Sequence, residues 1–292
     1  MTTAGRVVAS HGRRFLVALA DGEIIDCVTR GKKGGVACGD QVALQVTQPG
    51  AGVIERVEPR RNLLYRSDAL REKLLAANLD QALIVVAATP LFREELLIRC
   101  LAACEAADIH ARIVLNKVEL QETARLAHYL HAYEAIGYPV LKVSAVGDIT
   151  PLEAELAGRV SILAGASGMG KSSLLNRLVP EAKAAVGDIS TALDAGRHTT
   201  THSRLHPLHG GGALIDSPGM QEFGLRHLDA SGLMAAFPEL RERVGQCRFY
   251  NCRHIHEPGC AVRDAAESGA MLLGRYRAYL NLLAEVTTPA YT

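Results

Sequence analysis

The chain has 292 residues, enough for two or three domains of ordinary size. Hydrophobic residues make up 48% of it, but only 4% are aromatic and Trp is absent, so the core is expected to consist mainly of Leu, Val, Ile and Ala. A net charge of +1 excludes a strongly basic or acidic protein and does not by itself point to a partner.

The first ten residues, MTTAGRVVAS, lack the basic stretch followed by an apolar run that is typical of a signal peptide. The most apolar window, ALIVVAA (82–88), is too short to span a bilayer. We therefore expect a cytoplasmic protein with no membrane partner. Its seven cysteines are expected to be reduced, since an odd number fits a disulfide framework poorly.

Residues 1–66 are predicted to form a small β-barrel domain. Short alternating or apolar runs, among them RFLVAL, EIIDCVT, DQVALQV and AGVIERV, are separated by turn-rich stretches. Five such strands fit either an OB-fold or an SH3-like barrel. This region carries ten Lys/Arg against six Asp/Glu, an excess that mildly favours a polyanionic partner. GKKGG (31–35) is either a phosphate-contacting loop or a solvated turn.

Residues 67–228 are predicted to form an α/β domain, because strands and helices alternate along them. The predicted strands are 81–88, 111–117, 139–145, 160–166 and a final GALIDSPG (212–219), and the helices are 94–107, 122–137 and 171–179. This alternation indicates a parallel sheet with helices on both faces. Cys100 and Cys104 lie one turn apart on a helix. This spacing fits half of a metal site, but it is more commonly explained by packing in the core.

Residues 229–292 are predicted to be helical and interrupted by a Cys/His cluster. The chain is expected to end in one helix, AAESGAMLLGRYRAYLNLLAEV (265–286). Cys247, Cys252, His254 and Cys260 together form a closed tetrahedral set for one structural Zn²⁺, with His256 as the spare histidine. Arg248, Phe249, Tyr250 and Arg253 interleave basic and aromatic side chains around it, which suits RNA contact or plain packing.

GASGMGKS (165–172) matches the phosphate-binding pattern G-x-x-x-x-G-K-[ST] and stands between a predicted strand and a predicted helix. Its glycines let backbone N–H groups point at phosphate oxygens, and the helix N-terminus adds a favourable dipole. Lys171 is expected to reach the β- and γ-phosphates, and Ser172 to bind Mg²⁺. HGGG (209–212) resembles an esterase oxyanion loop, but no G-x-S-x-G accompanies it, so a hairpin turn is predicted instead.

DSPG (216–219) ends an apolar strand as D-x-x-G does in GTP-binding proteins. Asp216 is expected to hold Mg²⁺ and the Gly219 amide to sense the γ-phosphate. RHTTTH (197–202) lies between the two motifs, where a switch-type loop supplies a Thr ligand to Mg²⁺. Thr200 is the first choice and Thr199 the second. His198, His202, His206 and His209 are not expected to form a metal site, because a loop followed by a strand would not bring them to one face.

NKVE (116–119) follows a predicted strand, where a base-recognition loop belongs. The carboxylate of Glu119 can accept from both guanine N1–H and N2–H₂, although Asp is usual at this position. Asn116 fits the N7/O6 edge and helps to hold the loop, and the Lys117 stem packs on the ring. Ser144 and Ala145 match an S-A loop that meets guanine O6. An ordinary strand-to-helix turn is the alternative.

The residues expected to bind nucleotide therefore come from four motifs. They are Asn116, Lys117, Glu119, Ser144, Ala145, Gly165, Ala166, Ser167, Gly168, Met169, Gly170, Lys171, Ser172, Ser173, Asp216 and Gly219. The base loops precede the phosphate loop, which is the reverse of the usual order and indicates a circular permutation. DSPG therefore leads directly into the C-terminal domain.

These motifs, in this order along essentially the whole chain, resemble the circularly permuted GTPase family called ribosome small-subunit-dependent GTPase A. The resemblance implies an OB-fold, a permuted GTPase domain and a zinc domain. It also implies a role in late 30S maturation, with GTP hydrolysis stimulated by the 30S subunit. Met220 stands where many GTPases have a catalytic Gln, and the family's substitute histidine corresponds to His198. His198, Lys171 and Thr200 are thus the expected catalytic residues.

The expected partners are the 30S subunit and its 16S rRNA, with GTP or GDP, Mg²⁺ and Zn²⁺ as cofactors. DNA binding is not expected, and the protein is expected to be a monomer. Two other functions remain at this point: a metabolic P-loop kinase or ATPase, and a non-hydrolysing, nucleotide-gated RNA-binding scaffold. NKVE argues against the first, whereas Glu119 and Met220 leave room for the second.

Overall fold

The structure is a computed structural model that describes residues 2–31, 35–67, 72–180, 203–217 and 223–288. Within these ranges the chain forms thirteen strands and eight helices. In this described portion, no helix combines the length and the apolar character needed to cross a membrane.

The first five strands close into a barrel, as predicted. They are β1 (Thr3–His11), β2 (Arg14–Leu19), β3 (Ile24–Thr29), β4 (Gln41–Gln48) and β5 (Ala51–Val57). Their order is β1-β2-β3-β5-β4, and β4 returns to pair with β1. The β3–β5 pair is parallel and the other pairs are antiparallel. This arrangement is the OB-fold and not the SH3-like alternative.

Six further strands form the central sheet, in the order β10-β9-β8-β11-β13-β12. They are β8 (Gln81–Val86), β9 (His110–Leu115), β10 (Val140–Lys142), β11 (Val160–Ala164), β12 (Ser203–Pro207) and β13 (Ala213–Asp216). All pairs are parallel except β12–β13. The predicted parallel sheet is confirmed, and β12 is the strand that precedes the predicted hairpin turn and pairs with β13.

Helices cover both faces of this sheet, also as predicted. They are α1 (Glu94–Ala106), α2 (Thr123–Ala135), α3 (Thr150–Leu156) and α4 (Lys171–Leu178). Side chains alternate along β8: Ile84 packs in the core beneath α1 and α2, whereas Leu83 and Val85 pack in the core beneath α3 and α4. Cys100 and Cys104 are buried in the first of these cores, so their role is packing.

The barrel and the central sheet are one continuous sheet of eleven strands. Barrel strand β1 pairs antiparallel with β12, with Ala9 opposite Arg204 and Ser10 opposite Ser203. A hairpin of β6 (Leu63–Ser67) and β7 (Glu72–Ala77) lies beside it. The predicted domain boundary at 66/67 falls inside β6, and the boundaries at 66/67 and 228/229 stay predictions.

The HGGG segment connects β12 to β13 as a tight antiparallel hairpin. Leu208 N–H donates to the Gly212 carbonyl at 3.3 Å, and Gly211 and Gly212 both have positive φ angles. A Cβ on Gly212 would lie 2.3 Å from the Arg159 carbonyl oxygen, so only glycine fits there. The predicted hairpin turn is confirmed.

The C-terminal region is helical and packs on the first core. Its helices are α5 (Ala230–Ala235), α6 (Pro238–Arg241), α7 (Ala261–Glu267) and α8 (Leu273–Thr287). The prediction of one helix over 265–286 is wrong, since α7 ends before Gly269 and α8 starts after it. Gly269 has a φ of 80°, the left-handed conformation that terminates helices.

A buried ion pair joins α8 to α6, and its arginine also contacts the central domain. Arg275 of α8 bonds to Glu239 of α6, with Nη2 3.0 Å from Oε2, and both side chains are almost completely buried. The guanidinium also lies 5.0 to 5.8 Å from the ring centres of Phe237, Tyr138 and Tyr133, and Tyr133 belongs to α2. This contact joins the helices of the C-terminal region to the face of the sheet that α2 covers.

Candidate functional site

The carboxyl ends of the parallel strands meet at one edge of the sheet, and four predicted motifs lie there. β9 leads into residues 116–119, β10 into 143–148, β11 into 165–170 and β13 into Ser217. The chain runs outward from β8 to β10 on one side and from β11 to β13 on the other, so the strand order reverses between β8 and β11. Open α/β sheets bind ligands at this kind of crevice.

The phosphate-loop glycines adopt conformations that only glycine adopts readily. Gly165, Gly168 and Gly170 have φ angles of 130°, 79° and 97°. A Cβ at Gly165 would lie 2.3 Å from the Val85 carbonyl oxygen, and one at Gly170 would lie 2.2 Å from Asn116 Nδ2. Helix α4 begins directly after this loop, at Lys171. The loop therefore has the strand–loop–helix geometry that cradles phosphates.

Lys171 and Asp216 are two partly buried, opposite charges at this edge. Lys171 Nζ donates to the carbonyl oxygens of Gly165 (2.9 Å) and Ala166 (2.7 Å). Burial lowers the pKa of Lys171, with Asp216 and Cys100 opposing the shift. Burial likewise raises the pKa of Asp216, opposed by the charge of Lys171. The site thus presents an ammonium for phosphate and a carboxylate for a divalent cation.

Asn116 is completely buried and connects three loops. Its Nδ2 donates to the Met169 carbonyl of the phosphate loop at 2.9 Å, and its Oδ1 accepts from Ala145 N–H at 3.0 Å. These contacts fit the expectation that Asn116 holds the loop. They also direct the Ala145 amide at Asn116, so in this structure that N–H serves the loop contact.

Lys117 lies across the phosphate loop. It has a left-handed backbone with φ of 62°, and its Nζ donates to the carbonyl oxygens of Thr89 and Gly168, both at 2.8 Å. Thr123 at the start of α2 donates its hydroxyl to the Lys117 carbonyl at 2.8 Å. The side-chain stem is thereby stretched along the edge of the crevice, where a flat ring could pack on it.

The remaining base-side residues combine an exposed carboxylate with a buried hydroxyl. Glu119 is exposed, next to Val118 at the tip of its loop. Ser144 is buried, and its Oγ has no hydrogen-bond partner within the described residues. Arg177 of α4 holds this loop by donating to the Gly147 carbonyl at 2.5 Å. An unsatisfied hydroxyl in one base-side loop and an acceptor carboxylate in the other fit a ligand with polar edges.

Some of the other residues singled out in the sequence are described by the structure, and some are not. Ala166, Ser167 and Met169 lie in the phosphate loop, and Ser172 and Ser173 lie in the first turn of α4. His198, Thr199, Thr200, His202, Gly219 and Met220 lie outside the described residues. His206 is in β12 and His209 is in the turn after it. Neither belongs to a group of three potential metal ligands within the described ranges.

The Cys/His cluster assembles in space as the sequence predicts. The ligand atoms of Cys247, Cys252, His254 and Cys260 all lie within 4.8 Å of one another. His254 Nδ1 is 3.5 Å from the sulfur atoms of both Cys247 and Cys260. Tetrahedral zinc with sulfur ligands requires ligand atoms roughly 3.7 Å apart, so these residues fit the ion.

The surrounding structure fixes His254 in a form suited to a metal. Burial lowers the pKa of His254, with Glu257 opposing, which favours the neutral imidazole that binds metals. Tyr276 of α8 donates its hydroxyl to the His254 carbonyl at 2.8 Å. The Glu257 carboxylate accepts from the N–H groups of Arg253 and Ile255, both at 2.9 Å. His256 is exposed and lies outside the cluster.

A basic and aromatic surface lies beside this cluster. Tyr250 is fully exposed and Phe249 is 42% exposed. The Arg248 guanidinium lies 5.6 Å from the centre of the Phe249 ring. Exposed rings with neighbouring guanidinium groups are the side chains that stack on unpaired bases and contact phosphates.

Comparison with known proteins identifies a family and relatives that cover nearly the whole chain. The family model described as RsgA GTPase matches residues 57–226. Similar curated proteins include small ribosomal subunit biogenesis GTPase RsgA from Burkholderia pseudomallei, 52% identical over 97% of this chain and 92% of the relative. The protein of the same name from Nitrosospira multiformis is 49% identical over 97% of this chain and 91% of the relative.

Two solved structures share the fold over nearly their full length. YjeQ from Thermotoga maritima aligns with a TM-score of 0.74 and 30% identity, covering 98% of this chain and 99% of that one. YloQ, described as a circularly permuted GTPase, aligns with a TM-score of 0.72 and 28% identity, covering 98% and 95%. The motif order, the site and these relatives together show that the chain is a GTP-hydrolysing enzyme of the RsgA GTPase family, with a guanine nucleotide and Mg²⁺ as its cofactors.

Proposed function

We propose that this enzyme acts in late maturation of the small ribosomal subunit in the cytoplasm, and that the 30S subunit stimulates its GTP hydrolysis. The observation that carries this proposal is the near-complete coverage, at about half identity, by proteins named small ribosomal subunit biogenesis GTPase. Since the family hydrolyses GTP, we do not retain the kinase or the non-hydrolysing scaffold as alternatives.

We assign the phosphates to the loop formed by Gly165, Gly168 and Gly170, with Lys171 neutralising the β- and γ-phosphates. The contacts of Lys171 with carbonyl oxygens at the start of this loop support the assignment, because they hold its ammonium against the loop. Ser172, Asp216 and Thr200 would hold Mg²⁺, which supplies positive charge to the phosphate oxygens. The Gly219 amide would sense the γ-phosphate.

We assign the base to the crevice between the loops at 116–119 and 143–148. Glu119 would accept from the two guanine donors, and Lys117 would cover one face of the ring. Asn116 would act mainly as the link between the base loops and the phosphate loop, because both of its side-chain polar atoms bond to loop backbone. The unsatisfied Ser144 hydroxyl would bond to the Glu119 carboxylate or to the base.

Catalysis is assigned to His198 as the residue that orients the attacking water. Met220 occupies the usual position of Gln, and its thioether has no proton to donate and is only a weak acceptor. Turnover by the isolated protein should therefore be slow. The His198→Ala variant is expected to bind GTP normally and to lose 30S-stimulated turnover. Stimulated turnover that is unchanged in this variant would rule out the role.

The N-terminal barrel and the C-terminal helical region are assigned to contact with the ribosome, with 16S rRNA as the ligand. The barrel region carries the local excess of basic residues, and Arg248, Phe249 and Tyr250 form the exposed surface beside the cysteine cluster. One zinc ion, held by Cys247, Cys252, His254 and Cys260, would stabilise this surface. Four protein ligands leave no open coordination position, so its role would be structural.

The proposal is tested by sedimentation of the protein with purified ribosomal subunits. We expect co-sedimentation with 30S subunits in the presence of a non-hydrolysable GTP analogue, and much less with GDP. The 50S subunit is the control for general affinity for RNA. Equal recovery with 30S and 50S subunits, or no dependence on nucleotide, would contradict the assigned partner. The expected monomer can be checked by light scattering on the same preparation.

A further inference from the structure

Two buried serines connect the ends of neighbouring strands beside Asp216. Ser203 is the first residue of β12, and Ser217 directly follows Asp216 at the end of β13. Their hydroxyl oxygens lie 2.9 Å apart, and either can be the donor. Ser203 is 5% exposed and Ser217 is 1% exposed. This hydrogen bond is therefore shielded from water, and among the described residues each hydroxyl has the other as its side-chain partner.

The strand that carries Ser203 connects the barrel to the phosphate edge. On one side β12 pairs with β13, with Arg204 opposite Asp216. On its other side β12 pairs with barrel strand β1, with Ser10 opposite Ser203. Asp216 is thus two strands away from the barrel, and the serine pair fixes the strand ends at that point.

We propose that Ser203 and Ser217 are positioning residues for Asp216. Their hydrogen bond holds the backbone at the end of β13 against β12, and thereby sets where the Asp216 carboxylate stands relative to Lys171. Because β12 is also bonded to β1, a partner that displaces the barrel changes Mg²⁺-dependent GTP binding through this pair. This inference rests on the proposed Mg²⁺ role of Asp216.

If the two hydroxyls act together, the effects of replacing them should not add. Replacing one serine with Ala removes the partner that the other buried hydroxyl has among the described residues, whereas replacing both removes both hydroxyls together. The double variant Ser203→Ala/Ser217→Ala should therefore be no more impaired than either single variant. Two unrelated packing defects would add instead.

The experiment measures dissociation constants of a non-hydrolysable GTP analogue with Mg²⁺, and of GDP without Mg²⁺, for the full chain and its variants. We expect Ser203→Ala and Ser217→Ala each to weaken Mg²⁺-dependent binding of the GTP analogue about five- to tenfold. GDP binding without Mg²⁺ should stay within about twofold, and its retention shows that the variants are folded. Additive losses, or equal losses for GDP, would overturn the proposal.

The matched control is Ser161→Ala. Ser161 is also a fully buried strand serine that accepts a side-chain hydrogen bond, from Gln81 at 3.0 Å, but it lies near the start of β11, at the opposite edge of the sheet. Its variant should bind both nucleotides normally; a loss equal to that of Ser217→Ala would contradict a specific role. Asp216→Asn distinguishes a failure of the proposed Mg²⁺ role of Asp216 from a failure of the role of the serine pair. If it leaves the Mg²⁺ dependence intact, the proposed function of Asp216 fails; if it abolishes that dependence and the serine variants do not change it, only the present inference fails.

Discussion

The side-chain amide of Asn116 donates to the carbonyl oxygen of Met169 at 2.9 Å, and this bond ties the base loop to the phosphate loop. The same side chain accepts from Ala145 N–H at 3.0 Å, so a third loop depends on it. In this permuted chain the base loop precedes the phosphate loop by about fifty residues. Asn116 thus connects loops that are distant in sequence and holds them in fixed positions relative to one another.

We expect Asn116→Ala to weaken GTP and GDP binding to a similar extent. The substitution leaves buried loop groups without partners, at a cost of about 1–3 kcal/mol for each group, so an affinity loss of roughly tenfold to a hundredfold follows. Titration with fluorescent nucleotides measures both constants. Val118→Ala, in the same loop but 40% exposed, is the control. A loss confined to GTP would contradict the connecting role.

We expect Glu119→Gln to change the base preference from guanine towards xanthine. Xanthine has a carbonyl in place of the guanine 2-amino group, and a side-chain amide can donate to it where a carboxylate cannot. Competition between GTP and XTP for the variant and the parent protein measures the change. Glu119→Asp keeps the carboxylate and should keep the preference for GTP. An unchanged preference in Glu119→Gln would place the base elsewhere.

We expect Asp216→Asn to raise the thermal stability of the nucleotide-free protein at pH 7.5. Burial raises the pKa of Asp216 in the folded protein, so folding favours the protonated form. The stabilisation that comes from protonated Asp216 is fully present below the pKa of about 3.9 in the unfolded chain. It is lost as the pH rises through the pKa of Asp216 in the folded protein. The stability difference between variant and parent should therefore shrink as the pH falls towards 4.

Asp148→Asn is the control, because its expected effect on stability is opposite to that of Asp216→Asn. Asp148 is exposed, and hydrogen bonds from the Thr150 N–H and hydroxyl lower its pKa. Its contribution is present above the unfolded pKa and is lost as pH falls through the folded value. This variant should therefore be less stable than the parent at pH 7.5, and the difference should vanish in acid. The same sign for both variants would contradict the electrostatic account.

We expect the purified protein to contain one zinc ion per chain and Cys260→Ser to lose it. Elemental analysis measures the content, and the loss should lower the melting temperature by roughly 5 °C or more, because ligand contacts organise residues 247–260. His256→Ala should keep its zinc, because His256 is exposed outside the cluster. Loss of zinc in His256→Ala would exchange the roles of the two histidines.

We expect Arg275→Met to destabilise the protein by about 3–5 kcal/mol, since it leaves the Glu239 carboxylate buried without its partner. Denaturant unfolding measures the change. The double variant Arg275→Met/Glu239→Leu should recover most of it. Arg263→Met, which breaks the more exposed Arg263–Glu267 pair, should cost no more than about 0.5 kcal/mol. Equal effects for the two single variants would contradict the buried pair.

Local patterns were sufficient to predict the elements that carry the chemistry. The strand before Gly165 and the helix after it were predicted within a few residues, because an apolar run, three glycines and a helical segment follow each other directly. The four zinc ligands were predicted because their residue types are specific and close in sequence. Barrel closure followed from the number and spacing of the strands.

Non-local relationships were not predictable from the sequence. A strand before the HGGG turn was expected from the hairpin, but the pairing of SRLHP (203–207) with barrel strand β1 on its other side was not. Arg275 and Glu239 look like solvated helix residues, and only the packing of α8 buries them together. Gly269 inside an apolar periodic run was compatible with one helix, and its left-handed backbone is visible only in the structure.

The central claim is that Asn116, Glu119, Lys171 and Asp216 form a guanine-nucleotide site whose turnover the small ribosomal subunit controls. Multiple-turnover release of phosphate from GTP and from ATP, with and without purified 30S subunits, tests it most directly. We predict slow release from GTP alone, strong stimulation by 30S subunits, and no comparable release from ATP. Equal use of ATP, or GTP turnover that 30S subunits do not change, would contradict the account.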